Sequence, residues 1–242
     1  MIEIEGLNKW FGPVHAVRDL TLSVPAGEVF AFLGPNGAGK TTTLKMLTGL
    51  LRPTSGRIRI AGYDMAKNPI EARQQIAYIP DTPFLYDRLT ATEFFHFVGT
   101  LYGLSRKEIE REREATFAFF GLHGHASALV KDLSHGLRQR LAYAAALLHH
   151  PRVLFIDEPL IGLDPHSIRA IKGLLREKAA GGMTIFLTTH ILPLAEETAD
   201  RIGIIHNGRL IALGPLEELR QRSGTQGDLE EVFLRLTGDD TI

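Results

Sequence analysis

A glycine-rich octapeptide contains the residues whose types and spacing point most clearly to chemistry. Residues 34–41 read GPNGAGKT, which is the pattern G-x-x-x-x-G-K-T. Glycines in such a loop let backbone N–H groups turn inward around an anion with no Cβ in the way. Lys40 would then reach the β- and γ-phosphates of a nucleotide, and the Thr41 hydroxyl would ligate Mg²⁺. The predicted nucleotide-binding residues are Gly34, Pro35, Asn36, Gly37, Ala38, Gly39, Lys40, Thr41 and Thr42.

Two neighbouring acids supply the second half of the predicted chemistry. Asp157 and Glu158 directly follow the apolar run 153–156. An acid at the end of a strand beside a phosphate-binding loop can hold Mg²⁺ through water, and this is the role that we predict for Asp157. Glu158 is placed to polarise an attacking water as a general base. A strand that ends in two acids is common when taken singly, so this prediction depends on the octapeptide.

The local elements around the octapeptide have to position it. Five apolar residues, 29–33, predict a strand that is buried on both faces. From Lys40 an apolar helical pattern begins, with Leu44, Leu47 and Leu51 on one face. Strand, glycine loop and helix in this order are the context that a triphosphate-binding loop needs, and they argue against an ordinary glycine-rich turn that happens to carry Lys-Thr.

Further strands and helices alternate along the chain. Residues 2–4 and 20–24 alternate apolar and polar side chains, as half-exposed antiparallel strands do. Other strands are predicted at 57–61, 76–79, 153–156 and 184–188, and a hairpin at 202–205 and 209–212 around Asn207-Gly208. Helices are predicted at 69–75, at 167–180, through residue 199 and from residue 216, followed by a polar, glycine-containing tail.

Residues 92–150 show only helical patterns. The first includes Phe94, Phe97, Val98 and Leu101, the second is a charged helix that begins at Ser105 with Glu108 three positions on, and the third covers 133–148. We therefore predict an α/β fold. Its P-loop core would be a mostly parallel sheet with helices on both faces, joined by an N-terminal antiparallel β subdomain and an inserted α-helical subdomain. Within a single domain, 1–242, the core would take 1–85 and 151–215, the helical part 86–150, and a C-terminal helix and tail 216–242.

Composition narrows the class of protein. The chain has 242 residues, is 44% hydrophobic and carries a formal net charge of −1, so any acidic partner would have to bind a local patch. The basic residues between 106 and 113 alternate with glutamates at helical neighbour spacing, which predicts a solvated face and no nucleic-acid partner. The absence of cysteine suits a reducing cytosol. The longest apolar runs, such as 142–148, are far shorter than the roughly 20 residues of a membrane span.

Taken together, the motifs resemble an ABC-type ATPase. The octapeptide is joined by Asp157-Glu158-Pro159, by LSHGLRQR at 133–140, by GLDP at 162–165 and by TTH at 188–190. Their order matches Walker A, Q-loop, signature, Walker B, D-loop and H-loop of that family, and the match covers nearly the whole chain. The resemblance implies a P-loop ATPase that binds ATP with Mg²⁺ and hydrolyses it.

The resemblance also implies roles for single residues. Phe11 matches the aromatic residue that stacks on adenine, although Trp10 could serve instead, or Phe11 could only cap the sheet edge. Ser134 and Gly136 match the signature residues that contact the γ-phosphate held by the other subunit, and a plain N-cap also explains Ser134 locally. Asp164 resembles the D-loop aspartate at the dimer seam.

His190 resembles the histidine that contacts the γ-phosphate, so the implied catalytic residues are Glu158, His190 and Lys40. The family's Q-loop glutamine is matched here by Asp81. Either Asp81 ligates Mg²⁺ together with Thr41 and Asp157, or it turns away and caps its loop.

Two further departures indicate a subtype. His135 and Leu137 replace residues of the usual Leu-Ser-Gly-Gly-Gln signature, as in exporter-like members. Residues 228–234, DLEEVFL, resemble the ending of bacterial ATPase subunits that serve exporters.

The implied partners are ATP, a second copy of the chain or a homologous ATPase subunit, and an integral-membrane permease. The chain would then lie in the cytoplasm, peripheral on the inner face of the membrane, and export is favoured by analogy only. One alternative is a soluble ABC-family ATPase that acts on ribosomes or DNA. The other is a small-molecule kinase, and the signature residue Ser134 and His190 argue against the kinase.

Aromatic residues are dense where the core meets the helical part. They are Phe84, Tyr86, Phe94, Phe95 and Phe97, with Leu85 between them. The resemblance implies that this junction receives a short cytoplasmic helix of the permease, but packing of the helical part would explain the same residues. The pairs His123/His125 and His149/His150 lack a carboxylate or thiolate cluster, so we predict solvated turn residues and no metal site.

Overall fold

The computed structural model describes residues 1–158 and 165–238, and only the backbone of residues 165–167. Along these residues the chain forms β1 (Ile2–Phe11), β2 (Val14–Val24), β3 (Val29–Leu33), α1 (Lys40–Leu47), β4 (Ser55–Ile60), β5 (Tyr63–Asp64), α2 (Pro69–Gln74), β6 (Ile76–Ile79), α3 (Ala91–Leu101), α4 (Arg106–Phe120), α5 (His135–Leu147), β7 (Val153–Asp157), α6 (Pro165–Ala180), β8 (Thr184–Thr189), α7 (Leu192–Thr198), β9 (Arg201–His206), β10 (Arg209–Gly214), α8 (Leu216–Ser223) and α9 (Leu229–Thr237). Short 3-10 turns at His123–His125 and Val130–Asp132 lie between α4 and α5.

The larger sheet has the strand order β10-β9-β3-β8-β7-β6. Its strands β9, β3, β8, β7 and β6 run parallel, and only the edge strand β10 is antiparallel. β8 lies between β3 and β7, although it follows both of them in the chain. Because the strands are parallel, the loops after β3, β7 and β8 leave the same edge of the sheet side by side.

The strand before the octapeptide separates two hydrophobic clusters. Val29, Ala31 and Leu33 face one cluster, and Phe30 and Phe32 face the other, because successive side chains of a strand point to opposite faces. All five residues are buried, so the predicted strand with two buried faces is confirmed.

Each face of the larger sheet is covered differently. On the Phe30 face, α1 packs beside a second, antiparallel sheet with the order β2-β1-β4-β5. On the Val29 face, α6, α7 and α9 share one cluster with the helical segment α3–α5. The predicted fold class, with a mostly parallel sheet, helices on both faces, an antiparallel β part and an inserted helical part, is confirmed.

The helices of the insertion begin where capping residues place them. Ser105 and Glu108 form the reciprocal capping box that the sequence predicts at the start of α4, and Thr90 and Glu93 form a second one at the start of α3. The third helix begins at His135 and not at residue 133, because Ser134 is extended and caps the helix by accepting a hydrogen bond from the backbone N of Leu137 at 3.3 Å.

Two predicted element boundaries are wrong. The helix after the octapeptide ends at Leu47, since Thr48 closes it and Gly49 takes a φ of +72°, so Leu51 lies beyond it. The first strand, predicted at 2–4, continues to Phe11, and the chain turns at Gly12.

The predicted C-terminal tail contains a helix. Asp228 caps α9 by accepting a hydrogen bond from the backbone N of Glu231 at 3.0 Å, and Leu229 and Val232 are fully buried against the rest of the domain. The glycine-containing stretch at 224–227, which predicts a tail, forms a turn between α8 and α9.

The prediction of solvated histidines is wrong for His149. Its ring stacks on Tyr102 with centroids 3.5 Å apart, and its Nε2 lies 3.0 Å from the carbonyl oxygen of Ile76. Burial lowers the pKa of His149 to about 4. Within residues 1–158 and 165–238, no helix is both long enough and apolar enough to cross a bilayer.

Candidate nucleotide-binding site

The octapeptide forms a loop whose glycines are required by its shape and its neighbours. Gly37 and Gly39 take φ angles of +79° and +110°, a region that disfavours side chains. A Cβ on Gly39 would lie 2.6 Å from the carbonyl oxygen of Ala16, and a Cβ on Gly34 would lie 2.3 Å from that of Ile205. The loop can therefore adopt this curve, with N–H groups free to face an anion, only with glycine at these positions.

Lys40 is buried at the start of α1, with its ammonium inside the loop. Its Nζ donates to the carbonyl oxygens of Gly34 at 2.5 Å and Pro35 at 3.1 Å. Burial lowers the pKa of Lys40, while the nearby carboxylates of Glu158 and Asp157 act in the opposite direction. A buried ammonium that is held by carbonyl groups is placed to exchange them for the stronger charge of a phosphate.

Asp157 ends β7 beside the loop, and its carboxylate is almost fully buried. It accepts hydrogen bonds from the hydroxyl groups of Thr188 and Thr41. Burial raises the pKa of Asp157, and the like charges of Asp81 and Glu158 raise it further. A carboxylate in this position fits a divalent cation, because a positive charge would relieve both its burial and its repulsion by neighbouring acids.

Glu158 takes an unusual backbone conformation, with a φ of +54°. Its Oε1 lies 2.8 Å from Nδ1 of His190. Its Oε2 accepts hydrogen bonds from the Thr189 hydroxyl at 3.2 Å and from the backbone N of His190 at 3.3 Å. Three contacts from Thr189, the last residue of β8, and from His190 thus hold the carboxylate of Glu158.

A cavity of about 350 Å³ joins these residues. Its walls are formed by Ala16, Asn36, Gly37, Gly39, Lys40, Thr41, Thr42, Asp81, Asp157, Glu158 and His190. The fold therefore brings together candidates from four separate stretches of sequence. Asp164 lies outside the described residues.

Asp81 contributes to this cavity from the loop after β6. Its Oδ1 accepts a hydrogen bond from the backbone N of Thr82 at 2.7 Å, as the capping alternative expects. The same side chain lines the cavity with Thr41 and Asp157, as the ligand alternative expects. Within residues 1–158 and 165–238 no three His, Asp or Glu side chains cluster as a metal site, so a magnesium ion here would need phosphate oxygens and water as its remaining ligands.

The two aromatic candidates at the end of β1 differ in their contacts. Trp10 stacks on the ring of His15 with centroids 3.8 Å apart. Phe11 is about half exposed and carries the Lys9 ammonium 5.1 Å from its ring centre. Neither residue lines the cavity around Lys40, whose wall on this side is formed by Ala16.

Ser134 and Gly136 lie away from this cavity, at the first turn of α5. Ser134 is exposed and caps the helix. A Cβ on Gly136 would meet no atom within 4 Å, so the packing around it, in the part of the chain that is described, does not require glycine there.

The sequence analysis assigned no role to the hydroxyl groups of Thr188 and Thr189. Both residues end β8, and they hydrogen-bond Asp157 and Glu158 respectively. Two threonines before a histidine at the end of a buried strand were the available signal. Only the placement of β8 next to β7 shows what they contact.

Comparisons with known proteins agree with this geometry. Residues 17–161 match the family model for ABC transporters. The linearmycin resistance ATP-binding protein LnrL of Bacillus subtilis (strain 168) is 36% identical over 97% of this chain and 78% of its own length. A solved ATP-binding subunit of an ABC transporter superposes with a TM-score of 0.93 at 39% identity, over 98% of this chain and 99% of that one. The cbiO1 protein of Clostridium perfringens, part of the ABC transporter complex cbiONQ, gives a TM-score of 0.80 at 29% identity, over 91% and 90% of the two chains.

Proposed function

The chain belongs to the ABC transporter family and is an ATP-binding ATPase, and from that premise we propose that it powers transport through a separate membrane-spanning permease. The resemblance inferred from the motifs is thereby confirmed. What the proposal adds is the partner, the dimer and the part played by each residue.

The observation that carries the proposal is the continuity of two cavities. A cavity of about 490 Å³ lies next to the nucleotide cavity, between α1, the loop after β6 and the helical segment. Thr41, Asp81 and Asp157 line both of them. A protein seated in the outer cavity and a nucleotide in the inner one would therefore touch the same three residues, so that each could respond to the other.

The outer cavity is suited to an apolar helix. Phe84 is 86% exposed and Tyr86 is 58% exposed, whereas Phe94 is only 6% exposed. The Tyr86 ring packs against Phe97 with centroids 5.1 Å apart and against Phe94, which lines the outer cavity, with centroids 6.3 Å apart, so Tyr86 lies beside that cavity. The packing interpretation thus describes Phe94 and Phe95, while Phe84 in the cavity wall and Tyr86 beside it present exposed aromatic surface to a partner. We assign that surface to a short cytoplasmic helix of the permease.

The active unit that we propose is a dimer of ATPase subunits. Ser134 and Gly136 lie outside the nucleotide cavity of their own chain, at the N-terminus of a helix that can bind an anion. In a two-fold dimer, this turn of one chain would face the γ-phosphate bound by the other, and Asp164 would lie near the seam.

Each residue of the cavity then has a chemical task. The loop N–H groups and Lys40 hold the β- and γ-phosphates, and Phe11, outside the cavity, stacks on the base. Mg²⁺, when bound with the nucleotide, would neutralise phosphate charge, with Thr41, Asp157 and Asp81 as its protein neighbours. Glu158 accepts the proton of the attacking water, and His190 orients Glu158 and contacts the γ-phosphate.

The direction of transport that we propose is export. The supporting observations are the similarity to LnrL, a resistance protein, and the exporter-like stretch 228–234. The chain would then act at the cytoplasmic face of the membrane through its permease. The named relatives are transporter proteins, which does not favour an ATPase that acts on ribosomes or DNA.

The test is membrane association. The full chain, in the cells that normally make it, should sediment with membranes and cross-link to a multi-span protein that mass spectrometry identifies. Tyr86→Glu should release it, because a charge on the exposed aromatic surface beside the outer cavity would cost binding energy when a partner covers it. Tyr63→Glu, which changes a partly exposed tyrosine in β5, is the matched control. Retention of the Tyr86 variant on membranes would argue against this surface, and absence of any membrane partner would argue against the proposal as a whole.

A further inference from the structure

A third cavity connects the C-terminal helix to the nucleotide site. It measures about 290 Å³, and its walls are formed by Gly34, Pro35, Asn36, Thr189, His190, Leu192 and Phe233. Asn36 and His190 also line the nucleotide cavity, so the two cavities meet at these residues. Phe233 lies on α9, so α9 forms part of the wall of this cavity.

The segment that carries His190 is held at one end by β8. Thr189 is the last residue of that strand, and its hydroxyl accepts a hydrogen bond from the backbone N of Ile191 at 3.0 Å. At the other end α7 begins at Leu192, and Ile191 offers no side-chain cap to it. The position of His190 therefore depends on where α7 is held.

A single carboxylate ties α7 to the C-terminal helices. Oε2 of Glu196, in α7, accepts a hydrogen bond from the backbone N of Leu229 at 3.1 Å, and its Oε1 pairs with Nη2 of Arg220 at 3.1 Å. Arg220 also donates from Nε to the carbonyl oxygen of Gly227 at 2.8 Å. The start of α9, the turn before it and α7 thus form one hydrogen-bonded unit.

We propose that α9 positions His190 for hydrolysis, with Phe233 forming part of the wall of the third cavity beside the His190 segment and Glu196 fixing α7. The contact between His190 Nδ1 and Glu158 Oε1 is a single 2.8 Å pair on a half-exposed ring, so a small shift of the segment would break it. Phe233 is a positioning residue: it does not line the nucleotide cavity, and it acts through His190. This inference rests on the proposed roles of His190 and Glu158.

The test separates turnover from binding. Phe233→Ala should lower kcat by about tenfold or more while the affinity for a non-hydrolysable ATP analogue stays within about twofold, because misplacement of a catalytic group affects mainly the chemical step. Phe233→Leu should restore part of kcat, because it refills part of the space. Leu236→Ala is the matched control: Leu236 lies on the same helix and packs on the same cluster, but it does not line the cavity.

Equal losses of kcat in Phe233→Ala and Leu236→Ala would overturn the inference, and so would a loss of analogue affinity without a loss of kcat. If Phe233→Ala does not fold, Phe233→Leu and Glu196→Ala carry the test, and wild-type kcat in both would overturn it. A wild-type kcat in His190→Ala would instead reject the role of His190. The permease partnership is measured separately by membrane association, so its failure would leave these kcat results unchanged.

Discussion

The imidazole of His190 contacts the carboxylate of Glu158 directly, with Nδ1 2.8 Å from Oε1, and the backbone N of His190 reaches Oε2 of the same carboxylate at 3.3 Å. The end of β8 and the residue after it thereby orient Glu158, despite its φ of +54°. This pair links β7 to β8, and it places the proposed base next to the proposed γ-phosphate contact. Pre-organisation of this kind reduces the rearrangement that hydrolysis requires.

The first prediction concerns Glu158. Glu158→Gln keeps the shape and the acceptor oxygen but cannot take a proton, so we expect ATP turnover to fall by about 100-fold or more while binding persists. With ATP and Mg²⁺ the variant should accumulate as a dimer in size-exclusion chromatography with light scattering. Glu5→Gln, which changes an exposed glutamate of β1, is the control. Unchanged turnover in a monomeric Glu158→Gln protein would reject both the base and the dimer.

The second prediction concerns Lys40. Its ammonium lies inside the phosphate loop, so Lys40→Ala should lower kcat by about 100-fold or more through loss of transition-state charge stabilisation. The fold should be little affected, because the two loop carbonyls that Lys40 contacts can turn to water in the open cavity. An ATPase assay measures kcat, and thermal unfolding followed by circular dichroism measures the stability of the fold. Wild-type rates in a folded Lys40→Ala protein would contradict the assignment.

The third prediction concerns the pH dependence of stability at Asp157. Its pKa is raised by burial above the ordinary value of 3.8, so its charged form destabilises the nucleotide-free fold. Protonation relieves this cost: the stability that Asp157 contributes is fully present below the ordinary value and is lost as pH rises through the raised pKa. Asp157→Asn should therefore be more stable than wild type at pH 7.5, with the difference shrinking as pH falls towards 4.5.

Denaturant unfolding without metal or nucleotide, over that pH range, measures this difference. The same Asp157→Asn protein should require more Mg²⁺ for half-maximal ATP hydrolysis, because a neutral amide attracts the cation less strongly than a carboxylate. A stability difference that stays constant with pH would show that the carboxylate is not strained by burial.

The fourth prediction concerns Gly136. The open space around it means that Gly136→Asp should fold normally, and an acid in the first turn of α5 should even favour the helix. In the proposed dimer, however, the new carboxylate would face the γ-phosphate of the partner's nucleotide and repel it. We expect loss of the ATP-dependent dimer and of most ATP hydrolysis.

The matched control is Gly173→Asp in α6, where a Cβ also meets no atom within 4 Å of its surroundings. Dimerisation of Gly136→Asp to the same extent as this control would argue against the signature role.

The fifth prediction decides between the two alternatives for Asp81. At about 4 Å, unscreened like charges repel by roughly 4 kcal/mol at an effective dielectric of 20, so Asp81 is tolerated near a triphosphate when a cation stands between them. Asp81→Gln should leave turnover near wild type, because the amide oxygen can replace the carboxylate. Asp81→Ala should require more Mg²⁺ for half-maximal ATP hydrolysis. Identical Mg²⁺ titrations for the three proteins would show that Asp81 only caps its loop, as its bond to Thr82 also allows.

The parts of the site that depend on adjacent residues were predictable from the sequence. The phosphate loop lies between β3 and α1, as its flanking residues predict, and Asp157 ends the strand that the apolar run before it predicts, with Glu158 next to it. Local patterns also gave the capping box of α4. These features depend on short-range geometry, in which glycine, capping residues and strand alternation have known backbone consequences.

Which distant segments contact one another is determined by tertiary packing. β8 enters the sheet between β3 and β7, so Thr188 and Thr189 reach Asp157 and Glu158, and chain order does not show this. The burial of His149 and the docking of α9 beside His190 were likewise invisible in the sequence. A strand's neighbours and a helix's docking face are set by the summed packing of many weak contacts, whereas a turn or a cap is set by a few adjacent residues.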